Sequence, residues 1–150
     1  MHPAEITLQP FKPEDQAAVK ALILSGMAEH WGFIDPTLNP DLNNIAQSYA
    51  GAHFLVAWQQ GAVVGCGALA PRGGGTAEIV RMSVAAHLRR QGLGAMILNH
   101  LIQQARASGI QQIVLETTET WSEVVAFYLR HGFRITHHKD GDVYFALDLN

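Results

Sequence analysis

The chain contains a single cysteine, Cys66, among its 150 residues, so it has no internal disulfide, as expected of a protein in a reducing, cytoplasmic setting. Cys66 lies in the apolar run V-V-G-C-G-A-L and reads as a packed core thiol, because a nucleophilic cysteine needs accessible, electropositive surroundings. No apolar run approaches the roughly 20 residues that span a bilayer, so no membrane association is expected. The first residues, M-H-P-A-E-I-T-L-Q-P, lack the basic segment and apolar core of a signal peptide. A basic excess is also lacking: the net charge is −3, which argues against a nucleic-acid surface. The eight histidines are dispersed, with neither an H-E-x-x-H motif nor zinc-ligand spacing, and no metal is expected. His137 and His138 are adjacent on a predicted strand and point to opposite faces. Neither G-x-x-x-x-G-K-[ST] nor a G-x-G-x-x-G directly after a strand is present, so nucleotide hydrolysis and dinucleotide redox chemistry lack their usual support.

What remains is ordinary for a globular domain, with 48% hydrophobic and 15% charged residues. The length suits one domain, residues 1–150, with a substantial core. Charge is unevenly placed. Before Pro71 the basic residues are Lys12 and Lys20, against Glu5, Glu14, Asp15, Glu29, Asp35 and Asp41. From Pro71 to Ile110 stand Arg72, Arg81, Arg89, Arg90 and Arg106 against Glu78 alone. A basic middle fits a phosphate-bearing ligand, and the acidic part fits either an amine substrate or solvated surface.

In chain order, residues 5–9 read as a strand and Pro13 to about His30 as a helix stopped by Gly32. A turn-rich segment, Phe33 to Asn43, precedes a short helix ending near Gly51. His53–Trp58 and Ala62–Ala70 read as a hairpin about Gln59-Gln60-Gly61, and Gly65 and Gly67 imply close packing by another element. Pro71–Gly75 reads as a flexible loop. The strand Ala77–Val84 follows, then a helix from Gly92 to Ser108 and a strand from Ile110 to Glu116. Strand, helix and strand in this order imply a parallel pair. Thr120 and Glu123 form a predicted capping box for a helix from about Trp121 to His131. A last hairpin, 133–138 with 143–149, turns at Asp140-Gly141.

The stretch from Ala77 to Gly94 organises the rest: A-E-I-V-R-M-S-V-A-A-H-L-R-R-Q-G-L-G. A strand runs into a polar connection and then a glycine-containing helix start. Such a start presents unpaired N–H groups and the positive end of the helix dipole, and glycine admits phosphate oxygens close to the backbone. Arg89 and Arg90 add charge-assisted donors.

Arg89-Arg90-Gln91-Gly92-Leu93-Gly94 resembles the R/Q-x-x-G-x-G/A signature of the GCN5-related N-acetyltransferases, and E-I-V-R-M-S-V is similar to that family's preceding strand. The tail W-S-E-V-V-A-F-Y-L-R-H-G-F resembles its second block, A-x-x-x-Y-x-x-x-G-F. Tyr128, Gly132 and Phe133 match. Val124 stands for the usual alanine, and Trp121 for an asparagine common seven residues before the tyrosine. The resemblance covers roughly residues 53–149 and implies a mixed α/β, acyl-CoA N-acyltransferase fold. In that fold a mostly antiparallel twisted sheet has helices on both faces, and one parallel strand pair splays around the cofactor.

By the same resemblance the cosubstrate is acetyl-coenzyme A, its pyrophosphate on Arg89, Arg90, Gln91, Gly92, Leu93 and Gly94. Backbone groups of Met82, Ser83 and Val84 would face the pantetheine arm and thioester, with Val84 as the oxyanion donor. Tyr128 is the candidate acid for the leaving thiolate, or a packed aromatic. Glu78 is the candidate base by likeness to the A-E-I-V strand of the histone-acetylating branch; a salt bridge to Arg81 or Arg72 is the alternative, and Glu116 and Glu119 are further candidates. Trp31, Phe33 and Asp35 fall where relatives cap the acceptor, or else serve as hinge packing. The expected reaction is acetyl transfer to a primary amine on a small molecule or peptide, against the rival of an acyl-CoA-binding sensor without turnover. Relatives also dimerise through edge strands or the last hairpin, which makes a homodimer the expectation.

Overall fold

The computed structural model describes residues 5–32 and 38–149. A seven-stranded sheet has the order β1-β2-β3-β4-β5-β7-β6. Its strands are β1 (Thr7–Pro10), β2 (His53–Gln59), β3 (Ala62–Gly73), β4 (Thr76–Val84), β5 (Gln112–Thr118), β6 (Arg134–Lys139) and β7 (Asp142–Asp148). Only β4 and β5 run parallel; every other neighbouring pair is antiparallel. The helices are α1 (Gln16–Trp31), α2 (Ile45–Ser48), α3 (Leu93–Ala107) and α4 (Ser122–Arg130).

Two hydrophobic clusters occupy opposite faces of the sheet. Val19 and Ile23 of α1, with Leu42 and Ile45, pack on Phe54, Val56, Cys66 and Ala68. On the other face Ile97, Leu98 and Leu101 of α3 and Tyr128 of α4 pack on Ile79, Ile113, Leu115 and Phe145. Helices thus cover both faces, as expected. Side chains alternate along each strand, so Ile79, Ile113 and Leu115 turn toward α3 and α4, while Glu78 and Glu116 turn toward the side of α1 and α2.

Glycines permit the close approach of α3. A Cβ at Gly65 would lie 2.9 Å from the Cδ1 of Ile97, and one at Gly67 would fall on the Met82 sulfur. The three hairpin turns of the described residues use left-handed pairs, Gln60-Gly61, Gly74-Gly75 and Asp140-Gly141, whose twist matches the strands they join. Gly32 ends α1 at φ +79°, its N–H donating to the carbonyl of Ala28.

Three expectations need correction. Pro71–Gly73 is not a flexible loop but the continuation of β3, with Pro71 paired to Ala77 of β4. β5 begins at Gln112 rather than Ile110, because the Ile110 N–H caps α3 by donating to Ala105 and the Gln111 N–H donates to Gly75. The capping box at Thr120 and Glu123 does not form: Trp121 is the N-cap residue and makes no side-chain cap. Thr120 instead bonds His30, and Glu123 pairs with Arg90.

Candidate active site

Parallel pairing between β4 and β5 covers only Thr76–Gln112, Ala77–Ile113 and Glu78–Val114. Beyond that point β4 continues to Val84 and β5 to Thr118 without bonding each other. β5 remains paired to β7 along its whole length, so the gap lies on the β4 side.

A bulge in β4 coincides with the separation. Cys66 pairs with Ser83 and Ala68 with Val80, so Gly67 faces both Arg81 and Met82. Arg81 sits in the left-handed region at φ +56°, a conformation that costs an L-residue about 1–2 kcal/mol. Two consecutive side chains then face α1 and α2: Val80 joins the cluster there, and Arg81 reaches Asp41. The guanidinium donates to Asp41 Oδ1 at 2.7 Å and Oδ2 at 2.9 Å, to Asn39 Oδ1 at 3.1 Å and to the Tyr49 hydroxyl at 3.2 Å. Tyr49 in turn donates to Asp41 at 2.5 Å. Burial alone would raise the Asp41 carboxyl, but the hydrogen bonds from Tyr49 and Arg81 and the guanidinium charge hold it below the usual carboxylate range. The Cys66 thiol donates to the Arg81 carbonyl at 3.2 Å. Burial pushes this thiol up to about 12, which fits a packing role and not a nucleophile.

At the end of β4 a single 3-10 turn, Ala86–Leu88, leads into the arginine-glycine loop. Arg90 and Gly92 are both left-handed, at φ +63° and +87°. Gly92 is the N-cap of α3 and supplies no side-chain acceptor, and the first N–H bonded back along the helix is that of Met96, to the Gly92 carbonyl. The N–H groups of Leu93, Gly94 and Ala95 are therefore open donors at the positive end of a 15-residue helix. Nothing lies within 4 Å of where a Gly92 Cβ would stand, while Gly94 meets the ring of Phe127 of α4 at 3.5 Å. One glycine opens the loop and the other seats α3 against α4. The donor set and the unobstructed backbone fit a pyrophosphate.

Arg89 is paired with Glu29 of α1 at 2.5 Å and Arg90 with Glu123 of α4. Glu29, Arg89, Trp121 and Glu123 help line a cleft of about 360 Å³ between the end of α1 and the start of α4. Trp121, standing where the resemblance has asparagine, stacks on His30 at 4.5 Å and meets Trp31 edge-on at 5.2 Å. Trp31 thus lies at the edge of this cleft, whereas Phe33 and Asp35 lie outside the described residues.

Tyr128 is 5% exposed, its ring among Phe127, Phe133 and Phe145 at centroid distances of 5.2, 5.5 and 5.7 Å. Burial pushes its phenol well up from the ordinary value, so the hydroxyl stays protonated. Glu78 sits at the last paired position of β4, and its carboxylate accepts from Arg72 Nε at 2.9 Å. The partner is Arg72, since Arg81 is committed to Asp41. Glu116 lies beyond the last β4–β5 pair, directly across from Tyr144 of β7, and its carboxylate raises the Tyr144 phenol. Tyr144, Arg81 and Asp41 were not singled out from sequence as site residues; sheet register places Tyr144 and Arg81, and the 3-10 turn Pro40–Asn43 brings Asp41 to Arg81. Among the described residues no group of histidine, cysteine, aspartate or glutamate could hold a metal ion, and no helix is long and apolar enough to cross a membrane.

A parallel strand pair parting beside an uncapped, arginine-flanked helix start defines an acyl-CoA-type transferase fold. The chain belongs to the acetyltransferase (GNAT) family, whose model matches residues 19–133. It is 37% identical over 94 residues to an IAA acetyltransferase of Azospirillum brasilense, a match covering 62% of this chain and 60% of that relative. It is 30% identical over 142 residues to an uncharacterized N-acetyltransferase of Schizosaccharomyces pombe, covering 91% of this chain and 87% of the other. Among solved structures, a GNAT-family acetyltransferase of Staphylococcus aureus Mu50 superposes with a TM-score of 0.89 at 22% identity, over 97% of this chain and all of that one. The PaiA N-acetyltransferase of Thermoplasma acidophilum, solved in complex with coenzyme A, gives 0.84 at 16% identity, over 97% of this chain and 99% of the other.

Proposed function

We propose that this chain transfers the acetyl group of acetyl-coenzyme A to a primary amine by direct attack. The observation that carries the reading is the early end of the β4–β5 ladder, after Glu78 and Val114, beside the open N–H groups of α3. The gap gives a pantetheine arm access to the β4 edge, and the helix start with Arg89 and Arg90 suits its pyrophosphate.

The amine must attack as the neutral base. Glu78 takes its proton, directly or through water, and Glu116 is the alternative on the same sheet face. The Glu78–Arg72 pair is no obstacle, since a pair with Arg72 48% exposed is worth about 0–1 kcal/mol. Attack on the thioester carbon puts negative charge on its oxygen. The Ala85 N–H is bonded to Val64 of β3, so by alternation along the strand the Val84 N–H points to the gap, where it would stabilise the oxyanion. Collapse breaks the C–S bond. Tyr128 donates a hydrogen bond to the departing thiolate; with its phenol raised by burial, full proton transfer to a thiol of ordinary acidity (about 8.5) is uphill. The thiolate then takes its proton from water and Glu78 returns the amine proton to solvent, so the exchange balances.

The test is release of free coenzyme A across a panel of small amines and peptides, with cofactor binding followed by thermal shift. Acceptor-dependent release that falls in Tyr128→Phe while binding persists establishes the transferase. Binding without release across the panel identifies the chain as a coenzyme A sensor. No binding overturns the assignment of residues 89–94.

A further inference from the structure

Among the described residues, four that are not glycine have positive φ: Gln60, Arg81, Arg90 and Asp140. Gln60 and Asp140 are in hairpin turns and Arg90 is in the phosphate loop, where such conformations are ordinary. Arg81 is in the interior of a strand. Glycine is the usual residue for the left-handed position of a bulge, so an arginine there needs another reason.

The reason lies in what its side chain reaches. Asp41, Asn39 and Tyr49 belong to the connection between α1 and β2, 32 to 42 residues upstream, and all three bond the guanidinium. The backbone of the same residue is held from the other side by the Cys66 thiol. Gly67, opposite the bulge, cannot carry a side chain without displacing Met82. Side chain, carbonyl and facing strand therefore all fix one register for Met82, Ser83 and Val84. Straightening the bulge with Arg81 kept in a regular ladder would shift these three by one position against β3. Each N–H now facing the gap would then face β3, and the reverse.

We infer that Arg81, clamped by Asp41 and Tyr49, is a positioning residue that holds the β4 bulge, so that the Val84 N–H meets the thioester oxygen. The inference rests on the acetyl-transfer reading. It ties the geometry of the reacting carbonyl to the segment on the α1 and α2 side of the sheet, without contact between Arg81 and the cofactor. The clamp governs turnover; the phosphate loop governs cofactor affinity.

Three variants separate this from a merely structural role. Arg81→Gly keeps the left-handed backbone accessible but removes the clamp, Asp41→Asn weakens the clamp from the other end, and Arg81→Lys keeps charge without the two-pronged geometry. Arg81→Gly and Asp41→Asn should each lower kcat tenfold or more, leaving KM for acetyl-coenzyme A within twofold and the coenzyme A thermal shift intact. The double variant should be no worse than Arg81→Gly alone, and Arg81→Lys should recover only part of the rate. Lower melting temperatures with unchanged kcat per folded molecule would overturn the inference. So would a rise in KM for the amine at constant kcat, which would place the clamp in contact with the acceptor. The amide resonance of Val84 gives a readout independent of turnover. It should shift on adding acetyl-coenzyme A to the wild type and not to Arg81→Gly, and an equal shift in both would overturn the inference even if neither released coenzyme A. Absent wild-type release with the differential shift retained would sink the transferase reading alone.

Discussion

Glu29, in the last turn of α1, holds Arg89 of the loop before α3 at 2.5 Å across the opening of the cleft. Both side chains are close to half exposed, so the pair contributes at most about 1 kcal/mol. A cofactor phosphate would compete for the same guanidinium. Arg89→Ala should raise KM for acetyl-coenzyme A about tenfold, the scale of a lost hydrogen bond to a charged group. Glu29→Gln should lower it by a few-fold. Initial-rate kinetics in acetyl-coenzyme A at two salt concentrations check both, and the gain from Glu29→Gln should shrink as salt rises.

Tyr128 and its phenylalanine neighbours allow function to be separated from packing. Tyr128→Phe keeps the ring among Phe127, Phe133 and Phe145, so urea unfolding should change by less than about 1 kcal/mol. The rate should fall about a hundredfold, the scale for loss of a positioned hydrogen-bond donor to developing negative charge. Because burial keeps the wild-type phenol protonated, the rate should show no loss from its ionisation on approaching its ordinary value of 10.0.

Gly67 is a sharper test of the fold. Gly67→Ala sets a methyl against the Met82 sulfur and 3.0 Å from Ile97, between the bulge and α3. Overpacking of this kind costs about 1–3 kcal/mol, measurable by chemical denaturation. Activity should fall further than stability, since Met82 adjoins the bulge.

His53 sets a pH dependence. Its Nε2 is buried without a partner, its ring lies parallel to that of His100 at 6.0 Å, and burial followed by the charge of His100 lowers it from 6.5. The unfolded chain therefore takes up this proton first. Stability from the neutral imidazole is full above pH 6.5 and is lost as pH falls through the lower folded value. Melting temperatures measured from pH 7.5 to about 5 should fall less steeply in His53→Phe than in the wild type.

How far the sequence carried can be judged from particular residues. The glycine start of α3, the tyrosine block, the parallel pair and the β2–β3 and β6–β7 turns were legible because each is written in neighbouring residues: Gly92 after two arginines, Gly132-Phe133 after Tyr128, Asp140-Gly141 between alternating runs. Arg81 was not, since E-I-V-R-M-S-V alternates like any strand and no glycine marks the bulge. The clamp joins Asp41 to a residue 40 positions later, a separation that local pattern does not encode. Thr120 and Glu123 had the spacing of a cap, but His30 and Arg90 bind them instead, so tertiary partners outcompeted a local preference. The charge asymmetry also acquired a different meaning. Glu29 and Asp41 of the acidic first half answer Arg89 and Arg81 of the basic middle.

The two hydrophobic clusters share no buried residue, and the sheet stands between them. Substitutions more than about 7–10 Å apart without common partners add independently. A lineage can therefore rewrite the side chains under α1 and α2 while the half built around α3 and α4 keeps its packing. The exceptions are the few ion pairs that cross over, and any such drift must carry those in step.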